Sequence, residues 1–78
     1  MVKKNSENIR IVMMDREPVE LYKILKFESL VSSGGEAKRV IADGYVRVNG
    51  EVETRKSKKI YSGDMIEFNE VQLKVMMS

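Results

Sequence analysis

Asn49-Gly50, within the segment YVRVNGEV, is the feature that most restricts how this chain can fold. Both residues accept positive φ angles, so the pair favours a tight turn between two antiparallel strands. Before the turn, Val46 and Val48 alternate with Tyr45 and Arg47, as in a strand that buries one of its faces. The segment therefore predicts a β-hairpin.

The register across this turn is less definite than the turn itself. A two-residue turn pairs Val48 with Glu51 and puts Val52 on the same face as Arg47. A bulge or a longer loop is therefore an alternative to the simple hairpin. The sequence leaves this choice open.

A helix is predicted directly before the hairpin. Ser33 and Glu36 have the spacing of a capping box, in which the hydroxyl accepts one free N–H and the carboxylate returns to the N–H of the cap residue. Gly44 is placed to end the helix in the left-handed conformation. The inward stripe of this helix is expected to be Ala37, Val40 and Ile41.

The remaining elements follow from hydrophobic periodicity. Residues 9–14 read as a strand with Ile9, Ile11 and Met13 on one face and Arg10 on the other. Pro18 fits the first position of a helix, where its missing N–H costs nothing. That helix has Leu21, Ile24 and Leu25 at helical spacing, and two further strands are indicated by Ile66 and Phe68 and by Val71, Leu73 and Val75. We therefore expect an α+β domain with two N-terminal helices packed on a small, mostly antiparallel sheet with β-hairpins.

The 78 residues are enough for one small domain, which we expect to span residues 8–78 after a flexible tail at residues 1–7. The absence of Cys and His excludes thiolate or imidazole metal sites and Ser-His or Cys-His catalysis. We expect a non-catalytic protein that needs no cofactor. The sequence shows neither an apolar span nor a secretion signal, so we expect a cytoplasmic monomer with no membrane partner.

Charge is segregated along the sequence. The window from residue 38 to 59 holds seven basic and three acidic residues, whereas the rest of the chain holds seven basic and nine acidic ones. A local excess of positive charge attracts polyanions, although a solvated lysine-rich loop is the plain alternative. The basic residues of the window are Lys38, Arg39, Arg47, Arg55, Lys56, Lys58 and Lys59.

A helix and the hairpin that follows it are normally neighbours, so these cations can line one face and contact several phosphates. Gly34-Gly35, next to the Ser33 cap, leaves room for a phosphodiester backbone near the helix N-terminus, or simply shapes the entry to the helix. Asn49 offers an amide to a base or a 2′-hydroxyl, although its turn role already explains it. Tyr45 and Tyr61 are either stacking rings or half-buried core residues.

SGGEAKRVIADGYVRVNGEVETRKSKKIYSGDMIEF resembles the small RNA-binding domain first known from ribosomal small-subunit protein four, the alpha-L motif. Members have two helices, a V-x-V-N-G strand and turn, here Val46 to Gly50, and a G-D turn, here Gly63-Asp64. The resemblance covers roughly residues 17–69 and is closest to short stand-alone bacterial members. Gly34 stands where the ribosomal form commonly has an arginine, so one expected phosphate contact is missing.

The resemblance implies a protein that binds structured RNA, such as ribosomal or transfer RNA, through the second helix and the following hairpin. Two other functions are compatible with the charge. One is a protein-interaction adaptor whose basic face docks an acidic partner. The other is a nucleic-acid binder without preference for RNA over DNA.

Overall fold

Two helices and seven short strands make up the part of the chain that the structure, a computed structural model, describes: residues 9–78. The elements are β1 (Ile9–Met14), β2 (Val19–Glu20), α1 (Leu21–Phe27), α2 (Gly34–Ala42), β3 (Val46–Val48), β4 (Glu51–Val52), β5 (Lys59–Ile60), β6 (Met65–Phe68) and β7 (Val71–Met77). The predicted α+β class is confirmed. The predicted tail at residues 1–7 lies outside the described residues.

The main sheet has five strands in the order β1-β7-β6-β3-β4. The pair β1/β7 is parallel and the other neighbours are antiparallel, so the sheet is mixed. Strands β2 and β5 form a separate antiparallel ribbon. Two strands, β1 and β2, precede both helices, and β1 lies at the edge of the main sheet beside β7, the last strand of the chain.

The hairpin around Asn49-Gly50 is a simple two-residue turn. Val48 pairs with Glu51 and Arg47 with Val52, while φ is 54° at Asn49 and 88° at Gly50. Val52 accordingly lies on the outer face and is 52% exposed. Of the alternatives that the sequence left open, the structure has the short turn without a bulge.

Strand β1 alternates as predicted, and the face that it turns to the core is the one opposite the isoleucines. Val12 and Met14 are buried, whereas Ile9, Ile11 and Met13 are exposed. The cause is the pairing with β7, which places Val12 opposite the fully buried Val75. Because residues paired across a sheet point to the same side, this register decides which face of β1 is covered.

The predicted place of Pro18 at the start of a helix is wrong. Pro18 precedes β2, and α1 begins at Leu21 with Glu20 as its N-cap. Val19 lies opposite Ile60, which is fully buried, so the ribbon keeps this stretch extended for two more residues. Tertiary pairing here overrides the local preference of proline for a first helical turn.

Helix α2 begins and ends with hydrogen bonds close to those predicted. The Ser33 hydroxyl accepts from the Glu36 N–H at 3.0 Å, but the Glu36 carboxylate returns to the N–H and hydroxyl of Ser32, at 2.8 and 2.6 Å, instead of the N–H of Ser33. These hydrogen bonds, helped by the positive charge of Arg39, hold the pKa of Glu36 below its usual value. At the other end Gly44 has φ of 86°, and its N–H donates to the carbonyl of Ile41.

The core lies between the two helices and the inner face of the main sheet. Leu21, Ile24 and Leu25 of α1 are buried as predicted. In α2, Ala37 and Ile41 are fully buried and Val40 is partly buried. Within residues 9–78 no polar or charged residue is buried, so every described cation lies at the surface. Neither of these helices has the length and apolar character that a membrane crossing needs.

Candidate nucleic-acid interface

The basic segment from Arg55 to Lys59 is held against the start of α1 by its own backbone. The carbonyls of Lys58 and Lys56 accept hydrogen bonds from the N–H groups of Leu21 and Tyr22, at 2.9 and 3.2 Å. Glu20 makes no side-chain cap, so these carbonyls satisfy two N–H groups that a helix start otherwise leaves free. The loop backbone is thereby fixed, while its basic side chains are left to face solvent.

Tyr22 connects this loop to α2. Its N–H is bound to the Lys56 carbonyl, and the Lys38 ammonium lies 4.6 Å from the centre of its ring. That distance is within the range of a cation–π interaction. Lys38 of the second helix and Lys56 of the loop are therefore neighbours, with the Tyr22 ring and backbone between them. The hydrophobic spacing of α1 predicts only packing against the core, and no local pattern marks Tyr22 as this link.

Arg55 forms an ion pair with Glu53 of the same chain. Its Nε lies 2.9 Å from Glu53 Oε2 and its Nη2 lies 3.2 Å from Glu53 Oε1, and its N–H also donates to Oε2 at 3.0 Å. Hydrogen bonding from Arg55 lowers the pKa of Glu53, and the same bonds raise the pKa of Arg55. The Arg55 side chain is still 72% exposed, although the Glu53 carboxylate already pairs with its charge.

The basic loop and the residue after β5 line one open groove. Because Lys59 and Tyr61 are two positions apart on either side of the buried Ile60, their side chains point to the same side. This groove, here called the basic groove, contains no acidic residue and is lined by Arg55, Ser57, Lys58, Lys59 and Tyr61. A second, adjoining groove runs between this loop and the β3–β4 hairpin, and its lining includes the acids Glu51, Glu53 and Asp64. The first groove is therefore the more favourable of the two for a phosphate.

Asn49 uses its side-chain amide inside the protein. Its Nδ2 donates to Asp64 Oδ1 at 3.0 Å, and its Oδ1 accepts from the Met65 N–H at 2.9 Å. The Asn49 N–H also donates to the Met65 carbonyl at 2.7 Å. Asn49 therefore fixes the hairpin turn to β6, and in this arrangement it positions the site instead of offering a free amide to a ligand.

Two of the predicted cations have no contact that links them to the loop within the described residues. Arg39 is exposed on α2, and Arg47 lies on the outer face of β3 with its Nη1 3.3 Å from the Gly50 carbonyl. No ion pair or hydrogen bond within residues 9–78 joins either of them to the segment 55–59. Of the predicted set, the structure links Lys38 to the loop through Tyr22, whereas Arg39 and Arg47 lie at exposed positions of α2 and β3 without such a link in this part of the chain.

Gly34 and Gly35 form the first turn of α2 after the Ser33 cap. A Cβ atom added at Gly34 would meet nothing within 4 Å, and one at Gly35 would meet only the Ser33 hydroxyl, at 3.8 Å. Packing therefore does not require glycine at either position. What the pair provides is a helix N-terminus whose backbone is open to solvent.

Comparison with known proteins points to one family. Residues 12–76 match the S4 domain. The chain is 50% identical over 50 residues to an Escherichia coli protein named "Putative RNA-binding protein YbcJ", covering 64% of this chain and 71% of that protein. It is 36% identical over 56 residues to a Bacillus subtilis protein named "Probable ribosome maturation protein RlbA", covering 72% of this chain and 79% of that protein.

The fold gives the same result. The solution structure of Escherichia coli YbcJ, described as revealing an alpha-L motif involved in RNA binding, matches with a TM-score of 0.68 and 35% identity, over 97% of this chain and 98% of that one. The family match covers most of the chain, including α1, α2 and the hairpin between β3 and β4. The chain belongs to the S4 domain family.

Proposed function

We propose that this chain is a non-catalytic RNA-binding protein that holds structured RNA, ribosomal or transfer RNA in particular, through phosphate contacts. The contact surface, here called the basic face, consists of the start and the exposed side of α2, the hairpin that follows it and the loop after the hairpin. Its residues are Ser33, Gly34, Gly35, Lys38, Arg39, Arg47, Asn49, Arg55, Lys56, Lys58 and Lys59. One copy of the chain acts in this way in the cytoplasm.

The observation that carries the proposal is the clamping of the basic loop onto α1. A loop whose carbonyls cap a helix presents its lysines from a fixed backbone, so less conformational entropy is lost when they bind phosphate. Lys38 is added to the same surface through Tyr22. The names of the relatives, one described as RNA-binding and one as a ribosome maturation protein, agree with a polyanionic partner of this kind.

The members of the basic face have different tasks. Lys38, Lys56, Lys58 and Lys59 are the proposed phosphate ligands, because no ion pair within residues 9–78 neutralises them. Arg55 orients the loop through Glu53, and Asn49 holds the hairpin turn in place. Arg39, Arg47 and the open N-terminus of α2 extend the face on either side of the loop.

Salt dependence of RNA binding tests the proposal. If about four cations contact phosphates, log affinity should fall with log salt concentration at a slope of roughly −3 to −4. Lys59→Gln and Lys38→Gln should each reduce the magnitude of that slope by about one. Lys74→Gln is the matched control, because Lys74 lies on β7, outside the basic face, and its removal costs the same charge. An equal loss in all three variants would mean that net charge, and not this face, determines binding.

Comparison of a folded RNA with a DNA duplex of equal length distinguishes RNA binding from general nucleic-acid binding. Tighter binding to the RNA supports the proposal, and equal binding indicates a general polyanion binder. No detectable binding of RNA at about 50 mM salt would refute both and favour an adaptor that docks an acidic protein.

A further inference from the structure

Tyr61 is the aromatic residue of the basic groove, and its backbone is fixed on both sides. Its N–H donates to Asp64 Oδ2 at 2.8 Å, and its carbonyl accepts from the Asp64 N–H at 3.1 Å. The next residue, Ser62, donates its N–H to Glu17 Oε1 at 2.8 Å. The turn that follows is tied to β7 by a bond from the Gly63 N–H to the Val75 carbonyl at 2.7 Å. These bonds hold the Tyr61 backbone without using its side chain.

The Tyr61 ring is not part of the core. It is 49% exposed, and the buried neighbour Ile60 takes the inward position instead. No hydrogen bond within residues 9–78 involves its hydroxyl. Proteins that bind single-stranded nucleic acids present aromatic rings of this kind, and the bases stack on them.

Positive charge lies on the side of the Tyr61 ring that faces the basic groove. Lys58 and Lys59 line the same groove, and Ser57 adds a hydroxyl. A nucleotide whose base lies on the ring would therefore have its phosphates within the field of two lysines. Stacking and phosphate contact together require a base that is not paired, because a paired base offers no face to a side chain.

We propose that Tyr61 is a stacking platform for an unpaired base of the bound RNA, with Lys58 and Lys59 contacting the adjoining phosphates. This inference rests on the proposed function and adds to it: the RNA must present an unpaired nucleotide beside its folded part. Recognition is by stacking and charge, so it tolerates different bases and favours purines, which have the larger ring surface.

Tyr45 provides a matched control within the chain. It is 67% exposed, more than Tyr61, but it lies next to β3 on the outer face of the sheet and lines neither of the grooves that contain the basic loop. A surface tyrosine that acts only through general contact would behave alike at both positions.

The test uses an RNA hairpin with a single-stranded purine extension and the same RNA with abasic sites in the extension. Both have the same phosphates, and only the first has bases to stack. The wild type should bind the purine form roughly 5- to 150-fold more tightly than the abasic form. Tyr61→Leu should bind the two forms equally, whereas Tyr61→Phe and Tyr45→Leu should keep the preference. Circular dichroism and thermal unfolding confirm that each variant is folded.

Equal binding of both RNAs by the wild type, or a preference retained in folded Tyr61→Leu, would overturn the stacking site while leaving the proposed RNA binding intact. A preference lost equally in Tyr45→Leu would also overturn it, because the effect would not be specific to the groove. Absence of binding to either RNA at about 50 mM salt would overturn the proposed function as well.

Discussion

Replacing Asp64 by alanine should destabilise the protein and disturb the basic groove at once. The Asp64 carboxylate accepts from Asn49 Nδ2 at 3.0 Å and from the Tyr61 N–H at 2.8 Å. Because each bond is solvent-exposed, each contributes about 0.5 to 1.5 kcal/mol, which is less than the roughly 1.5 to 3 kcal/mol of better shielded bonds to charged groups. Asp64→Ala should therefore lower the free energy of unfolding by about 1 to 3 kcal/mol. For a domain of this size, a loss of about 2 kcal/mol corresponds to a Tm decrease of roughly 8 to 16 °C.

Urea and thermal unfolding measure this loss, and Asp43→Ala is the matched control. Asp43 is also an exposed aspartate, and its carboxylate makes no hydrogen bond within residues 9–78, so its removal should change stability by less than about 0.5 kcal/mol. A double-mutant cycle with Asn49→Ala should give a coupling energy of about 1 kcal/mol, since the two side chains share one bond. Equal effects of Asp64→Ala and Asp43→Ala, or strict additivity with Asn49→Ala, would refute the account of this network.

Three further predictions concern stability. Met14→Ala should lower the free energy of unfolding by about 2 to 5 kcal/mol, because Met14 is buried. Met13→Ala, on the exposed face of β1, should lower it by less than about 0.5 kcal/mol. Similar losses for the two variants in chemical denaturation would contradict the orientation of β1. Ser29→Gly should stabilise the protein by about 1 kcal/mol, because Ser29 has φ of 59° at the end of α1 and glycine adopts this conformation without strain. An unchanged or lower Tm of this variant would argue against backbone strain at Ser29. The lowered pKa of Glu36, caused mainly by hydrogen bonds from Ser32, gives stability that is present above about pH 4.3 and is lost as the pH falls through the lowered value. Glu36→Gln should lack this loss of stability in acid. If the Tm of the wild type and of Glu36→Gln fell in parallel as the pH is lowered, Glu36 would not be its source.

Local rules predicted the middle of the chain well. Ser33, Gly44 and the Asn49-Gly50 turn act through neighbours a few residues away, so their sequence spacing already contains most of the geometry. The exposed positions of Lys38 and Arg39 are consistent with the inward stripe predicted for α2. The resemblance to the alpha-L motif rests on these same residues, and the family match confirms it.

What the sequence did not predict depends on contacts between distant segments. The inward face of β1 is set by its pairing with β7, at the other end of the chain, and both faces of β1 are apolar enough to be buried. Pro18 was misplaced because β5 holds Val19 and Glu20 in a ribbon. The link from Lys38 through Tyr22 to Lys56 joins three separate segments, and no periodicity within any one of them contains it.

The N–H groups of Leu21 and Tyr22 are bound by a loop, not by a side chain next to the helix, and this has a consequence for hydrogen–deuterium exchange. These two amides can exchange only when the loop detaches, so their exchange rates report the opening of the basic loop and not fraying of α1 alone. A ligand that binds the lysines of the attached loop makes detachment less favourable. Ligand binding to the loop should then slow exchange at the Leu21 and Tyr22 amides of α1, although the ligand contacts neither of them.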